Sequence, residues 1–180
     1  MGADGEHIAR LTEELKAGFL GINMALLPLV DTALPLLPLF DRYGLNPDAP
    51  VIVRRQDNTV YSARSLREVL TDATAVPGAG LRGDMLAFTV MHGMTRVGDT
   101  IQQADLWDSS SPLLEFARHF RNACAHGNRW HFRGREPRHP AALRGRAIDV
   151  SLHGTRAVNE WLGPGDYLDL LDDLAVHFRA

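Results

Sequence analysis

The 180-residue chain has one lysine, Lys16, against 18 arginines, and one cysteine, Cys124. A lone cysteine excludes an intramolecular disulfide, which points to a reducing compartment and makes the cytoplasm the default location. Cys124 itself reads as a small core residue. No glycine-rich loop of the Walker type, dinucleotide-binding fingerprint or nucleophile elbow is present, so none of those chemistries is indicated. Gly78-Ala-Gly80-Leu-Arg-Gly83 has glycines, but no strand clearly precedes it. The opening residues, Met1-Gly-Ala-Asp-Gly-Glu-His7, lack the basic segment, apolar core and cleavage site of a secretory leader. Repeats, low-complexity tracts and long linkers are also missing, and the length suits one domain over 1–180 with a substantial core. The net charge of -3 gives no global case for nucleic-acid binding.

One apolar run, Phe19–Phe40, is about long enough to span a bilayer. Asn23, Asp31 and the prolines at 28, 35 and 38 argue against that. A charge near the middle is costly in lipid, and proline interrupts helical hydrogen bonding. The run reads as a kinked buried helix or a dimer-facing segment, and no membrane partner is expected.

The rest reads as a mainly α fold, a helical bundle with one or two small β-hairpins. A first helix is predicted from Ala3–Glu6 to about Leu27, with a proline-interrupted piece on to Tyr43. Val51–Arg55 and Thr59–Tyr61 flank Gln56-Asp57-Asn58 as a hairpin. Helices are predicted over Ser65–Ala75 and from Asp84 to about Ala104. Gly93 and Gly98 weaken the second by roughly 1 kcal/mol each unless they permit close packing. Asn128–Leu143 reads as loop. Ile148–Leu152 and Arg156–Trp161 form a second predicted hairpin with Gly154 in its turn. A last helix begins at Pro164, with Leu168, Leu171, Leu174, Ala175 and Phe178 as its core stripe.

The most informative stretch is Ser111-Pro112-Leu-Leu-Glu-Phe-Ala-Arg-His-Phe-Arg121-Asn122-Ala-Cys-Ala-His126-Gly127-Asn128. Ser111 is a good N-cap, Pro112 a tolerated first residue and Gly127 a natural C′ residue, so a helix is predicted over Pro112–His126. Leu113, Phe116, Ala117, Phe120, Ala123 and Cys124 form its apolar stripe, and Glu115, His119, Asn122 and His126 its polar face. Arg121 lies on the flank.

This segment resembles the arginine-x4-6-histidine motif of the HEPN superfamily, small helical domains that are often ribonucleases; Asn122 supplies the polar residue usual after the arginine. The resemblance covers mainly this helix. It implies a HEPN-like helical bundle and metal-independent RNA cleavage, with His126 as acid/base group, Arg121 as phosphate clamp and Asn122 as positioning residue. Five residues place Arg121 and His126 roughly 140° apart on an ideal helix. HEPN proteins meet this by forming a two-fold homodimer, which the resemblance implies here. It further implies a toxin or defence effector, with a neutralising or regulatory protein among its partners, or a catalytically inactive module binding RNA, nucleotide or protein. Toxins of this superfamily that pair with nucleotidyltransferase antitoxins often carry a tyrosine two residues after the histidine; here that position is Asn128.

Eight arginines lie between Arg118 and Arg146, with Glu136 the only acid among them. Arg118, His119, Arg129, Arg133, Arg135 and Arg138 are therefore candidate RNA-binding residues. Biased codon usage and a solvated arginine-rich loop explain any single member equally well. His119, His126, His131 and His139 invite a metal reading, but no second cysteine or carboxylate pair completes a standard set. No cofactor and no metal are expected.

Overall fold

The computed structural model describes residues 2–30, 42–44, 46–65, 67–68, 80–134 and 136–180. They fall into two compact units, residues 21–82 and residues 1–20 with 83–180. Among the described residues the protein is mainly helical with two small antiparallel hairpins.

Within 21–82, the predicted first hairpin is present. Strand β1, Pro50–Arg54, pairs antiparallel with β2, Val60–Ser65. Asp57 accepts hydrogen bonds from the Thr59 amide at 2.9 Å and the Thr59 hydroxyl at 2.7 Å, and Asn58 takes a φ of 66°. Asparagine tolerates that conformation because its short polar side chain bonds locally. At the predicted Ser65 helix, Ser65 and Glu68 exchange side-chain and backbone hydrogen bonds in a capping box. The remainder of that helix, and the proline-interrupted piece over 31–41, lie outside the described residues.

Helix α1 runs from Ala3 to Val30. Among the described residues no helix is long and apolar enough to cross a membrane.

In the larger unit, α2 is Gly80–Gln103, α3 is Pro112–Ala125 and α4 is Pro164–His177. Helix α1 contributes Ile8, Ala9, Leu11 and Phe19 to the core. Lys16, the one lysine, bonds both oxygens of Asp172, and Arg179 grips Glu13. Helix α4 starts at Pro164, with Asp166 accepting the Gly163 amide at 2.8 Å. Its buried stripe is Tyr167, Leu170, Leu171, Leu174 and Ala175. Leu168, predicted to be in that stripe, is only half-buried. Tyr167 sets the phase: its hydroxyl occupies the space where a Cβ at Gly93 would stand, and Phe19 meets its ring edge-on at 5.5 Å. Gly93 thus has the packing role the sequence left open.

The second hairpin is not where it was predicted. Ala142–Leu143 (β3) pairs with Arg146–Ala147 (β4), inside and just past the expected loop. Arg144 and Gly145 both have positive φ, 45° and 87°, as a two-residue turn matching strand twist requires. Val150–Leu152 is instead a short 3-10 helix capped by Asp149, which accepts the Ser151 amide at 2.7 Å. Gly154–Arg156 touches this segment only in a tight turn, the Thr155 amide and hydroxyl donating to the Leu152 carbonyl at 2.9 and 2.7 Å, and forms no strand pairing with it among the described residues. It pairs with the chain after the motif: the Trp130 amide donates to the Thr155 carbonyl at 3.0 Å, and the Gly154 amide to the Trp130 carbonyl at 2.8 Å. The alternation at 148–152 marked burial of Ile148 and was outweighed by this long-range pairing.

An aromatic cluster anchors that pairing. Trp130 lies 6.0 Å from Phe120, 6.3 Å from Phe132 and 5.2 Å, edge-on, from Trp161. Its indole N–H is the one buried side-chain polar atom without a hydrogen-bond partner among the described residues.

Candidate functional site

Helix α3 begins and ends much as its local signals require. Ser111 accepts the Leu114 amide, Pro112 opens the helix, and Gly127 has a φ of 80°. His126 is the C-cap, its amide donating to the Asn122 carbonyl at 3.0 Å, so it stands one residue beyond the helix that was predicted to include it. Asn128, also at positive φ, buckles the exit to the chain beyond it. Its side chain donates to the Val158 carbonyl at 3.1 Å and accepts the Val158 amide at 2.7 Å. The sequence marked this position only by the absence of tyrosine.

The predicted polar face is partly interior. Glu115 and His119 are 1% and 2% exposed, while Leu114, and not Leu113, belongs to the buried stripe. The chain after the motif covers this side: the Phe132 ring meets the His119 ring at 5.5 Å. Arg118 forks onto Glu115 through Nε at 2.9 Å and Nη2 at 2.7 Å, and His119 Nε2 lies 3.2 Å from the same carboxylate. A buried carboxylate persists only with such partners. Burial works to raise the Glu115 pKa, but the Arg118 fork outweighs it and holds the carboxyl below its ordinary value. Burial, with Arg118 beside it, lowers the His119 pKa. His119, a predicted RNA-binding residue, therefore sits as an interior ring.

These shifts have a consequence for stability. Both groups bind protons less readily folded than unfolded, so stability falls with pH. The loss begins as pH drops through about 6.5, where an unfolded histidine charges, and deepens through about 4.5, the ordinary glutamate range. Thermal unfolding at pH 7.5 and pH 5 should show a lower midpoint at pH 5, and His119→Gln should flatten that slope. An unchanged slope in the variant would remove His119 as its source.

Arg121 is held from two sides. Its Nε donates to Asp99 of α2 at 3.0 Å, Nη2 bonds the same oxygen, and Nη1 donates to Asn122 Oδ1 at 3.1 Å. Three of its five N–H groups are thus engaged, leaving one on each Nη for a phosphate oxygen. Gly98 makes the arrangement fit, because a Cβ there would collide with the Arg121 stem. Gly98→Ala should cost about 1–3 kcal/mol in denaturant titrations by forcing apart a packed contact. A neutral result would mean that Arg121 moves aside freely.

The structure brings Arg121 and Asn122 together through their side chains, whereas His126 meets Asn122 only through the backbone. The His126 ring is exposed and has no side-chain partner among the described residues. It lines a cleft of about 300 Å³ with Arg129, Trp130, His131, Arg133, His153 and Gly154. Asp99, holding Arg121, lines a different groove of about 390 Å³ along α2 with His92, Thr95, Arg96, Thr100 and Gln103. In one copy, His126 lines its cleft without Arg121.

Of the eight arginines in the predicted basic patch, four hold carboxylates. Arg118 and Arg121 are committed to Glu115 and Asp99. Arg144 forks onto Asp173 and bonds Asp169, and Arg146 pairs with Asp166 at 3.0 Å. Arg129 rests on the Gly154 carbonyl at 2.5 Å. Arg133 and Arg138 are exposed, with no side-chain partner among the described residues, and Arg135 lies outside them. Arg138 lines a separate depression of about 620 Å³ that also contains Glu136 and Asp149. Among the described residues no three His, Cys, Asp or Glu side chains converge as a metal set.

His153 is the cleft residue that sequence reading missed, because it arrives through the pairing of 129–130 with 154–156. Arg129 and Arg133 were read from sequence as members of the basic cluster, and His131 only as one of four histidines weighed for a metal. Comparison with protein-family models, curated proteins and solved structures finds no match to this chain.

Proposed function

We propose that the chain is a metal-independent endoribonuclease of HEPN type, working as a two-fold homodimer in a toxin or defence role. The observation that carries this reading is the setting of His126: an exposed imidazole at a helix C-cap, in a cleft lined by two arginines and two further histidines and, among the described residues, by no carboxylate. An imidazole near neutral pH can take the proton from a ribose 2′-hydroxyl. The 2′-oxygen then attacks the adjacent phosphorus and the bond to the 5′-oxygen breaks. A proton passes to that leaving oxygen, and the products are a 2′,3′-cyclic phosphate and a 5′-hydroxyl.

Arg121 suits the charge that builds on the phosphate in the transition state, since its remaining N–H groups are pre-oriented by Asp99 and Asn122. Arg121 does not line the His126 cleft of its own copy, which supports a dimer in which a second motif completes each site, and two-fold pairing is the commonest soluble assembly.

Purified protein should scatter light as a dimer at micromolar concentration and cut single-stranded RNA in the presence of a chelator, leaving cyclic-phosphate ends. A monomer, or cleavage only with added metal, would overturn the reading. One observation favours a second reading, a catalytically silent module of the same architecture: Arg118, Arg121, Arg144 and Arg146 already hold carboxylates. RNA bound but never cut would select it.

A further inference from the structure

We propose that Arg129, His131, Arg133 and His153 form a phosphate-binding subsite, which holds an RNA phosphodiester next to the one cut at His126. This deepens the ribonuclease reading and rests on it for the identity of the ligand. The argument starts from charge accounting. Arg118, Arg121, Arg144 and Arg146 have carboxylate partners. The cationic and imidazole groups of the cleft have none among its lining residues. Glu136, the acid of this segment, accepts the Arg133 backbone amide at 3.0 Å and lines another depression instead. An anion is the missing counter-charge.

The donors are also held in place. Arg129 is fixed by its bond to the Gly154 carbonyl, with its other N–H groups unengaged among the described residues. His153 Nδ1 accepts the Phe132 amide at 3.1 Å, so a neutral His153 carries its proton on Nε2, as a donor. The His131 ring lies 5.3 Å from that of His153. Arg133 adds a guanidinium, whose planar fork matches phosphate oxygens. At about 300 Å³ the cleft is at the small end of ligand sites, suited to a phosphate with its sugar.

The test uses a fluorescent single-stranded oligodeoxyribonucleotide, which lacks the 2′-hydroxyl and cannot be cut. Its binding to wild type and to the double variant His131→Gln/Arg133→Gln is followed by anisotropy across salt. Both residues are exposed, and neither side chain holds the backbone, so the fold should persist by circular dichroism. The double variant should bind about tenfold or more weakly, as loss of a charge-assisted contact predicts. The slope of log affinity against log salt should fall by about one. On RNA the variant should raise KM with kcat near wild type.

Equal binding with an equal salt slope would overturn the subsite, even if RNA is cut. Cleft-dependent binding by a protein that never cuts RNA would keep the subsite and remove the nuclease. Inorganic phosphate at the oligonucleotide's own concentration should leave the complex intact; displacement there would overturn the oligonucleotide as ligand.

Discussion

His126→Ala should lose RNA cleavage by about 10²–10⁴-fold, the usual contribution of a general acid or base, while keeping its fold. Retention of the fold follows from the structure. The imidazole is exposed and has no side-chain partner among the described residues. What closes the helix is the His126 backbone amide on the Asn122 carbonyl, which alanine keeps. Cleavage assays with chelator, run beside thermal unfolding of both proteins, separate chemistry from stability. Arg121→Ala should behave differently: it should lose rate and RNA affinity together and leave Asp99 without its main partner. Equal cleavage by wild type and the His126 variant would sink the assignment and leave the binding module in front.

Trp130→Ala should have the largest effect on stability, about 3–5 kcal/mol, as full truncation of a large buried ring does. Trp130 is 1% exposed and has Phe120, Phe132 and Trp161 around it. Its backbone also joins the motif exit to Gly154 and Thr155. The same truncation removes a wall of the His126 cleft, so the variant should bind oligonucleotide weakly even where it remains folded. Urea unfolding gives the stability change directly. A loss under about 1 kcal/mol would show that the aromatic cluster does not anchor this segment.

Much of the fold was legible because its signals act over a few residues. Ser111 and Pro112 start α3 and Gly127 ends it. Asp57 and Asn58 turn the first hairpin. Pro164 opens α4. The misplaced second hairpin shows where such signals fail: Gly154 looked like its turn, yet its amide bonds Trp130, 24 positions back. Arg144-Gly145 made the actual turn because both backbones accept positive φ, a property glycine advertises and arginine does not.

For the candidate site, the sequence alone determined that Arg121 and Asn122 share one helix and, to within one residue, where that helix stops. Tertiary structure decided which polar groups meet water and which charges remain uncompensated. His119 became an interior ring because Phe132 and its segment cover it. Arg121 lost much of its free charge to Asp99, 22 positions earlier, and Arg144 to Asp169 and Asp173, 25 and 29 positions later. Capping and helical periodicity depend on neighbours within about a turn. Desolvation and ion pairing depend on whatever the folded chain brings within a few ångströms, from any distance along it.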